Sequence, residues 1–486
     1  MSTIKDLAPK VIFENFDLLT QVPRPSGHLE KIQKFLLDWA KKTGVEAFMD
    51  EAGNIIMKKP ATPGMENLQT AILQAHMDMV PQKGENSNHD FINDPITTVV
   101  DGDWLKADNT TLGADDGIGI ASIMAIMEAT DIKHGPLEAL ITADEETGMF
   151  GAMGLKAGEL EGTILLNLDT EDEGELIIGC AGGVDVEASM EYKEVETEKT
   201  DIAIKVSISG LLGGHSGLEI CEGRANANKL MARFVRAAIT DDDARLVSWH
   251  GGNMRNAIPR QCSVVLAIPA ENKEDLLDLV AYCKKEFFEE FKDVETNGFE
   301  FCAEECELPE MQVPEEIQDN LVDAIYACRN GVMRYIPTIP NIVETSSNLA
   351  IIDIEGGKAK ICILVRSSSE SMKEYLSTSL ECCFSMAGMK VEMSGSYNGW
   401  QPNTASPIVN AMKKSYEKQF GTPCKVQVVH AGLECGIISA VMPDLDMVSF
   451  GPTLRSPHTP QERCYIPSVE KYWSFLKATL EQIPTR

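Results

Sequence analysis

AILQAHMDMV (71–80), LEALITADEETG (137–148) and ILLNLDT (164–170) decide how this chain folds. Each carries a run of Ala, Ile, Leu and Val, bounded by turn residues, into a histidine or a carboxylate. Such runs read as buried β-strands. DMVSFGPTLRSPHTP (446–460) repeats the pattern late in the chain, and TLGADDGIGIASIMAIMEAT (111–130) places two aspartates where a helix opens. The alternation of apolar strand and helix from 70 to 180 is the βαβ signature of a mostly parallel sheet covered by helices. In an open α/β sheet, ligands bind at the carboxyl ends of the parallel strands. His76, Asp115, Glu145, Glu146, Asp169 and His458 can therefore meet at one spot although the chain separates them widely. Two histidines and several carboxylates, with no cysteine among them, suit a hydrolytic zinc centre better than a structural one.

Upstream, residues 8–20 and 28–43 read as amphipathic helices separated by PRPSG, and a strand pair follows around EAFMD and NIIMKK. Downstream of GCAGGVD (179–185) the strands alternate apolar and polar, as in DIAIKVSIS (201–209) and KAKICILVR (358–366). That texture predicts a sheet covered from one side only. Helices are expected near 223–240, 273–292, 315–329 and 369–387. Strand and helix recur twice over this region, which points to an internal duplication. After SYNGWQPN (396–403) the α/β texture returns, with helices at 406–419 and 468–483. The expected architecture is α/β: a catalytic domain built from 1–185 and 396–486, with an inserted α+β lid at 186–395. The closing segment must return to the catalytic sheet because it carries His458.

Composition bounds the alternatives. A length of 486 residues predicts about three domains at ~150 residues each, or two unequal ones. No run approaches the ~18 apolar residues of a membrane helix, and the first residues carry acids where a signal peptide would be apolar. The expectation is a cytoplasmic protein. Thirteen cysteines are scattered without a Cys-x-x-Cys pair, as expected of small buried hydrophobes in a reducing compartment. A net charge of −32 opposes nucleic acid and anionic membranes as partners.

Each polar pattern has a plain reading beside the functional one. On a strand, His76 and Asp78 share a face, so Asp78 can hold the second ring nitrogen of a ligand histidine; alone, the pair is weak. Asp115 can bridge two cations, whereas Asp116 can simply cap the helix; in isolation GADDG reads as a capped helix. Glu145 and Glu146 would ordinarily be solvated surface, but at the end of a buried strand they permit one metal ligand and one free base. Asp169 closes a segment too apolar to finish in a lone carboxylate, because burying one is costly. His28, His89, His134 and His250 read as packing or surface residues; His430, which precedes AGLECG, is placed to line a site. Two cations sharing a carboxylate, about 3.5–4 Å apart, need a set like His76, Asp115, Glu146, Asp169 and His458.

Taken together, QAHMDMVPQK, TLGADDGIG, EDEGELIIGCAGG, GGHSG, RNAIPR, VETSSNLA, GWQPN, HAGLECG and FGPTLRSPHTP resemble the di-zinc exopeptidase family that includes the carboxypeptidase-like dipeptidases. The resemblance runs from about residue 8 to the end of the sequence. It implies that His76, Asp115 and Asp169 belong to the metal cluster with Asp115 bridging, that Glu146 and His458 complete the other site, that Glu145 is the general base, and that Asp78 stands behind His76. Asp116 stands where the family often has asparagine. The lid would supply His215 to polarise the carbonyl, and Asn256 and Arg366 to bind the substrate backbone and C-terminal carboxylate, with Gly432 against the substrate. An arginine fork suits a free carboxylate and would restrict the enzyme to short peptides. Without the resemblance, GGHSG is a glycine turn and Arg366 a strand-edge charge. The implied activity is hydrolysis of unblocked Xaa-Xaa dipeptides, including Xaa-His, with two divalent metals. Zinc is the first choice, with cobalt or manganese as alternatives. An N-acyl-amino-acid deacylase or tripeptidase, or a non-catalytic metal-binding scaffold, are the competing readings, and the chain could act as monomer or homodimer.

Overall fold

The computed structural model describes residues 3–486. The chain divides into two compact units. One holds the chain through Gly179 together with Trp400–Val428 and Leu433–Arg486; the other holds Cys180–Gly399 and the short excursion Val429–Gly432.

In the first unit, eight strands form one sheet in the order 46–49, 55–59, 137–142, 71–76, 164–167, 446–449, 175–180, 425–429. The four central strands run parallel, and antiparallel strands flank them. Every residue of Ala71–His76, Leu137–Thr142 and Ile164–Asn167 is buried. Strands covered on both faces read as unbroken apolar runs, which is why these segments lack alternation. Register aligns their ends: His76 pairs with Thr142, and Gln74 and Ser449 both pair with Asn167. The ligand candidates therefore leave the sheet at one edge. Helix Ala114–Glu128 is buried from Ala114 to Met127; beyond its two aspartates only Ser122 interrupts the apolar run through Met127, and a helix apolar all round is buried.

A second, small antiparallel sheet joins Thr98–Asp101 and Trp104–Ala107 to Arg463–Tyr465 and Leu454–Arg455. Its last two strands bracket the loop that bears His458, an anchorage the proline-rich sequence did not reveal.

The second unit is a nine-stranded antiparallel sheet with four long helices. The expected recurrence takes a definite form. Strand 201–209, helix 227–241, strands 245–251 and 262–269, helix 273–291 and strand 300–306 make one βαββαβ half. Strand 182–191, helix 315–327, strands 343–355 and 358–367, helix 370–386 and strand 390–397 make another, into whose first connection the other half is inserted. The order 300–306, 201–209, 262–269, 245–251, 343–355, 358–367, 182–191, 390–397 reads the same from either end. The halves meet where Trp249 pairs with Ile354. One continuous core, including Phe234, Trp249, Phe287, Phe301, Leu349 and Phe384, lies under the helices. Alternation of buried and half-exposed residues holds over parts of the strands, as from Val184 to Ser189, whereas Lys358–Ser367 alternates only in its first half and is buried from Ile363 to Ser367.

Candidate functional site

His76 is the last residue of its strand and is 1 % exposed. Its Nδ1 lies 3.2 Å from the Asp78 carbonyl oxygen and 3.4 Å from Asp78 Oδ1. A proton on Nδ1 is satisfied there, which leaves the Nε2 lone pair for a ligand. Nε2 faces Asp115 Oδ1 at 2.9 Å and Asp169 Oδ1 at 3.6 Å. The other oxygen of Asp115 faces His458 Nε2 at 3.1 Å, and the same nitrogen is 2.9 Å from Glu146 Oε1. Asp115 thus presents one oxygen to each histidine. Its peptide bond to Asp116 is cis. Asp116 Oδ1 accepts the Gly119 N–H at 3.1 Å, the capping contact weighed for it.

Three groups of potential ligands lie close enough to share an ion: His76, Asp115 and Asp169; Asp115, Glu146 and His458; and His76, Glu145 and Glu146. The first two share Asp115, and they match the donor set that the sequence assembled. The hard carboxylates and imidazoles, with no thiolate, suit a divalent hydrolytic ion. Charge fits as well. Hydrogen bonds that His458 donates to Asp115 and Glu146 push it up to about 11, and burial pushes Asp169 up to about 7 against the pull of His76. Burial, only partly offset by His76, also holds Glu145 well above the ordinary carboxylate range, with Asp169, Glu434 and Glu146 adding to the rise. A centre so rich in mutually repelling acids is relieved by cations.

Asp78 does more than hold a ring. Its carboxylate accepts Ser26 Oγ–H at 2.8 Å and the backbone N–H groups of Glu145 and Glu146 at 3.0 and 3.2 Å. Burial opposes its charge, yet these donors and His76 bring it down to about 2. It ties the His76 strand to the glutamate turn.

Sequence reasoning missed three further residues in this unit. Arg24, 2 % exposed, donates to the carbonyls of Met77 and Asp78 at 3.0 Å each and to that of Gly113. Glu462, also 2 % exposed, accepts backbone N–H groups from residues 112–115. Glu434, the first residue of helix Glu434–Val441, accepts from Gln74 Nε2 at 2.6 Å and Thr142 Oγ1 at 2.7 Å, and burial raises it to about 8. Glu434 stood inside the quoted HAGLECG motif; Arg24 and Glu462 act on backbone and leave no spacing signal.

The second unit holds the remaining candidates. His215 Nδ1 accepts N–H groups from Gly217 and Leu218 at 3.2 and 3.0 Å, so the proton of the neutral ring sits on Nε2. Burial, and then the Arg366 charge, lower its pKa. Arg366 is 5 % exposed. Its side-chain partners are Tyr397 Oη at 3.0 Å, Ser216 Oγ at 3.5 Å and His215 Nε2 at 3.5 Å, none of them an acid. His430 is buried against Ser346 Oγ at 2.7 Å. Burial, with Arg366 and His215 adding, pushes it down to about 3. Asn256 is exposed in the hairpin between strands 245–251 and 262–269, its carbonyl accepting the Ser216 N–H. Gly432 is half-buried in the 429–432 excursion. His134 is a packing residue whose Nδ1 meets the Gly135 carbonyl, and His250 is exposed beside Asp353.

A parallel sheet with paired histidine–carboxylate groups at its carboxyl edge and a second α+β unit defines the class: a metal-dependent exopeptidase fold. The chain belongs to peptidase family M20/M25/M40, whose sequence pattern matches residues 72–482. It is 39 % identical over 486 residues to the cytosol non-specific dipeptidase of Escherichia coli, covering 100 % of both chains. A crystal structure of aminoacylhistidine dipeptidase from Vibrio alginolyticus superposes with a TM-score of 0.96 at 42 % identity, covering 100 % of this chain and 99 % of that one. The aminopeptidase PepT of Bacillus cereus shares the fold at TM-score 0.57 and 17 % identity, with 98 % and 99 % covered. The expected exopeptidase family is therefore the family of this chain, and the motifs are of the aminoacyl-histidine dipeptidase type. Among the described residues no helix is long and apolar enough to cross a membrane.

Proposed function

We propose that the chain is a cytoplasmic metallo-dipeptidase that hydrolyses unblocked Xaa-Xaa dipeptides, Xaa-His among them, with two divalent ions, zinc by preference. The observation that carries the reading is Asp115 lying between His76 and His458 with one oxygen toward each. His76 and Asp169 would hold one ion with Asp115, and Glu146 and His458 the other. Such a pair of ions polarises a scissile carbonyl and acidifies a water.

The chain's own groups do the rest. Glu145, whose burial strengthens its hold on a proton, takes the proton of the attacking water and passes it to the leaving amine. Asp78 keeps the Glu145–Glu146 turn and the His76 ring in register. In the second unit, His215 offers an Nε2–H fixed by the backbone donors on its other nitrogen. That donor suits a carbonyl oxygen gaining negative charge. Among the described residues the buried Arg366 guanidinium has no acidic partner, and a free C-terminal carboxylate satisfies it. Its Nη2 and His215 Nε2 are facing donors, an arrangement that an oxygen acceptor relieves. Asn256 and Gly432 are assigned to the substrate backbone by resemblance alone. The relatives' names, cytosol non-specific dipeptidase and aminoacylhistidine dipeptidase, support the substrate class.

Product formation from a mixed panel tests the reading. Free dipeptides, including Ala-His and β-alanyl-histidine, tripeptides and N-acetyl amino acids are offered with and without chelator. Chelator-sensitive cleavage of the dipeptides alone is expected. Cleavage of only the acylated or longer substrates would overturn the assignment of the second unit, and no cleavage by metal-loaded protein would overturn the enzyme.

A further inference from the structure

Glu462 is not one of the ligand candidates, yet its carboxylate accepts four consecutive backbone N–H groups. Leu112 and Gly113 donate to Oε2 at 2.7 and 3.0 Å, and Ala114 and Asp115 to Oε1 at 2.7 and 3.3 Å. Successive N–H groups converging on an anion form a nest. Here the anion belongs to the chain itself and is shielded from water. The last donor is the N–H of Asp115, the carboxylate shared between the two histidines.

The other end of the clamp is equally pointed. Glu462 lies four residues beyond His458 on the loop between strands Leu454–Arg455 and Arg463–Tyr465. Ser456 and His458 adopt left-handed backbone, with φ of 55° and 60°, a region that favours glycine over side-chain-bearing residues. A loop in that state keeps its shape only when the surrounding structure holds it. Pairing of Leu454 with Cys464 and of Arg455 with Arg463 closes its base, and the Glu462 nest fastens it to residues 112–115. Arg24 grips the opposite side of that segment through the Gly113 carbonyl, and the His76 strand through Met77 and Asp78.

We propose that Glu462 is the positioning residue of the second metal position: by clamping the Asp115 segment to the His458 loop it fixes the span that Asp115, Glu146 and His458 must share around one ion. This rests on the two-ion reading of the centre. Residue 462 belongs to none of the three groups of potential ligands. Glu462→Gln leaves a single acceptor oxygen and turns an NH2 group on the remaining N–H donors. The nest opens, while His76 keeps its place at the end of its strand and Asp169 its place just beyond Ile164–Asn167.

The test is uptake of Co2+ alone by the chelated full chain, followed by calorimetry and by metal content after gel filtration, with circular dichroism as the check on folding. Wild type takes two ions per chain; one ion in wild type would refute the two-ion reading itself. Glu462→Gln binds the first ion as wild type does and the second about 10–100-fold more weakly, the usual effect of losing an outer-shell partner. His458→Ala gives the same pattern. Two ions bound with wild-type affinity by folded Glu462→Gln would overturn the proposal, and so would equal weakening of both. If Glu462→Gln does not fold, Glu462→Asp, which keeps the anion with a shorter reach, must show the same selective loss. Unfolding of both variants would make Glu462 a folding residue and overturn the positioning role.

Discussion

Asp78→Asn removes one negative charge and almost nothing in volume, so its effect can be worked from contacts. The carboxylate receives four donors: Ser26 Oγ, the N–H groups of Glu145 and Glu146, and His76 Nδ1. Asparagine offers one oxygen and directs an NH2 group at donors that cannot receive it. The fall of the Asp78 pKa from 3.8 to about 2 reflects the preference of this environment for the charged form. At 1.36 kcal/mol per pH unit it corresponds to between about 2 and 3 kcal/mol, or about 60-fold in an equilibrium constant. Asp78 is 0 % exposed, so solvent does not dilute that figure. In the proposed centre the carboxylate orients a ligand histidine and the turn assigned to ligand and base, so the loss is expected as weaker metal binding, within the 10–100-fold range of outer-shell changes. Competition titration of chelated protein with Zn2+ measures it. The sign with pH is fixed. A carboxylate with a lowered pKa contributes fully above its unfolded value near 4 and loses that contribution only as pH falls toward 2. The ratio of wild-type to variant affinity is therefore constant from pH 5 to pH 8. Equal affinities, or a ratio that shifts within that window, would refute the reasoning.

Arg366→Ala raises KM for free dipeptides by about 30-fold or more, the usual loss when one partner of a buried charge pair is removed, and removes discrimination against dipeptide amides; steady-state kinetics on both substrates checks it. Gly217→Ala would place a Cβ 2.0 Å from the His430 carbonyl oxygen and 3.1 Å from His215 Cε1. Overpacking of this kind costs about 1–3 kcal/mol, and the variant is expected to lose kcat/KM while keeping its full metal content. His430 is pushed down to about 3, chiefly by burial, so the unfolded chain takes a proton near pH 6.5 that the folded chain refuses. Its contribution to stability is whole above pH 6.5 and declines as pH falls toward 3. His430→Asn flattens thermal stability over that interval, and an unchanged slope would show that His430 is not the titrating group.

Much of the catalytic unit was legible because its information is local. Ala71–His76, Leu137–Thr142, Ile164–Asn167 and Asp446–Ser449 are strands whose apolar runs stop abruptly at turn residues and acids. A buried strand cannot end in His76 or lead into Asp169 without a reason. That strand and helix recur twice in the second unit was legible, but the βαββαβ form of each half, with one inserted in the other, was not. The order of strands in either sheet was not legible, because crossovers such as the nesting of 201–306 inside the other half are long-range. The clamp residues were hidden for a different reason. Arg24 and Glu462 bind carbonyl and N–H groups that every residue carries, so no side-chain pattern marks their partners. His215 was visible within GGHSG, but its tautomer depends on the N–H groups of Gly217 and Leu218, which only backbone geometry reveals. The excursion 429–432 belongs to the second unit although a strand and a helix of the first unit flank it in sequence.

In the proposed mechanism Glu145 moves the proton while His76, Asp115, Glu146, Asp169 and His458 hold the ions. Glu145→Gln, assayed side by side for metal content and dipeptide turnover, tests it most directly. Retention of two ions per chain with loss of turnover is the predicted result. Loss of an ion from this variant, or turnover near the wild-type rate, would contradict the assignment of the base.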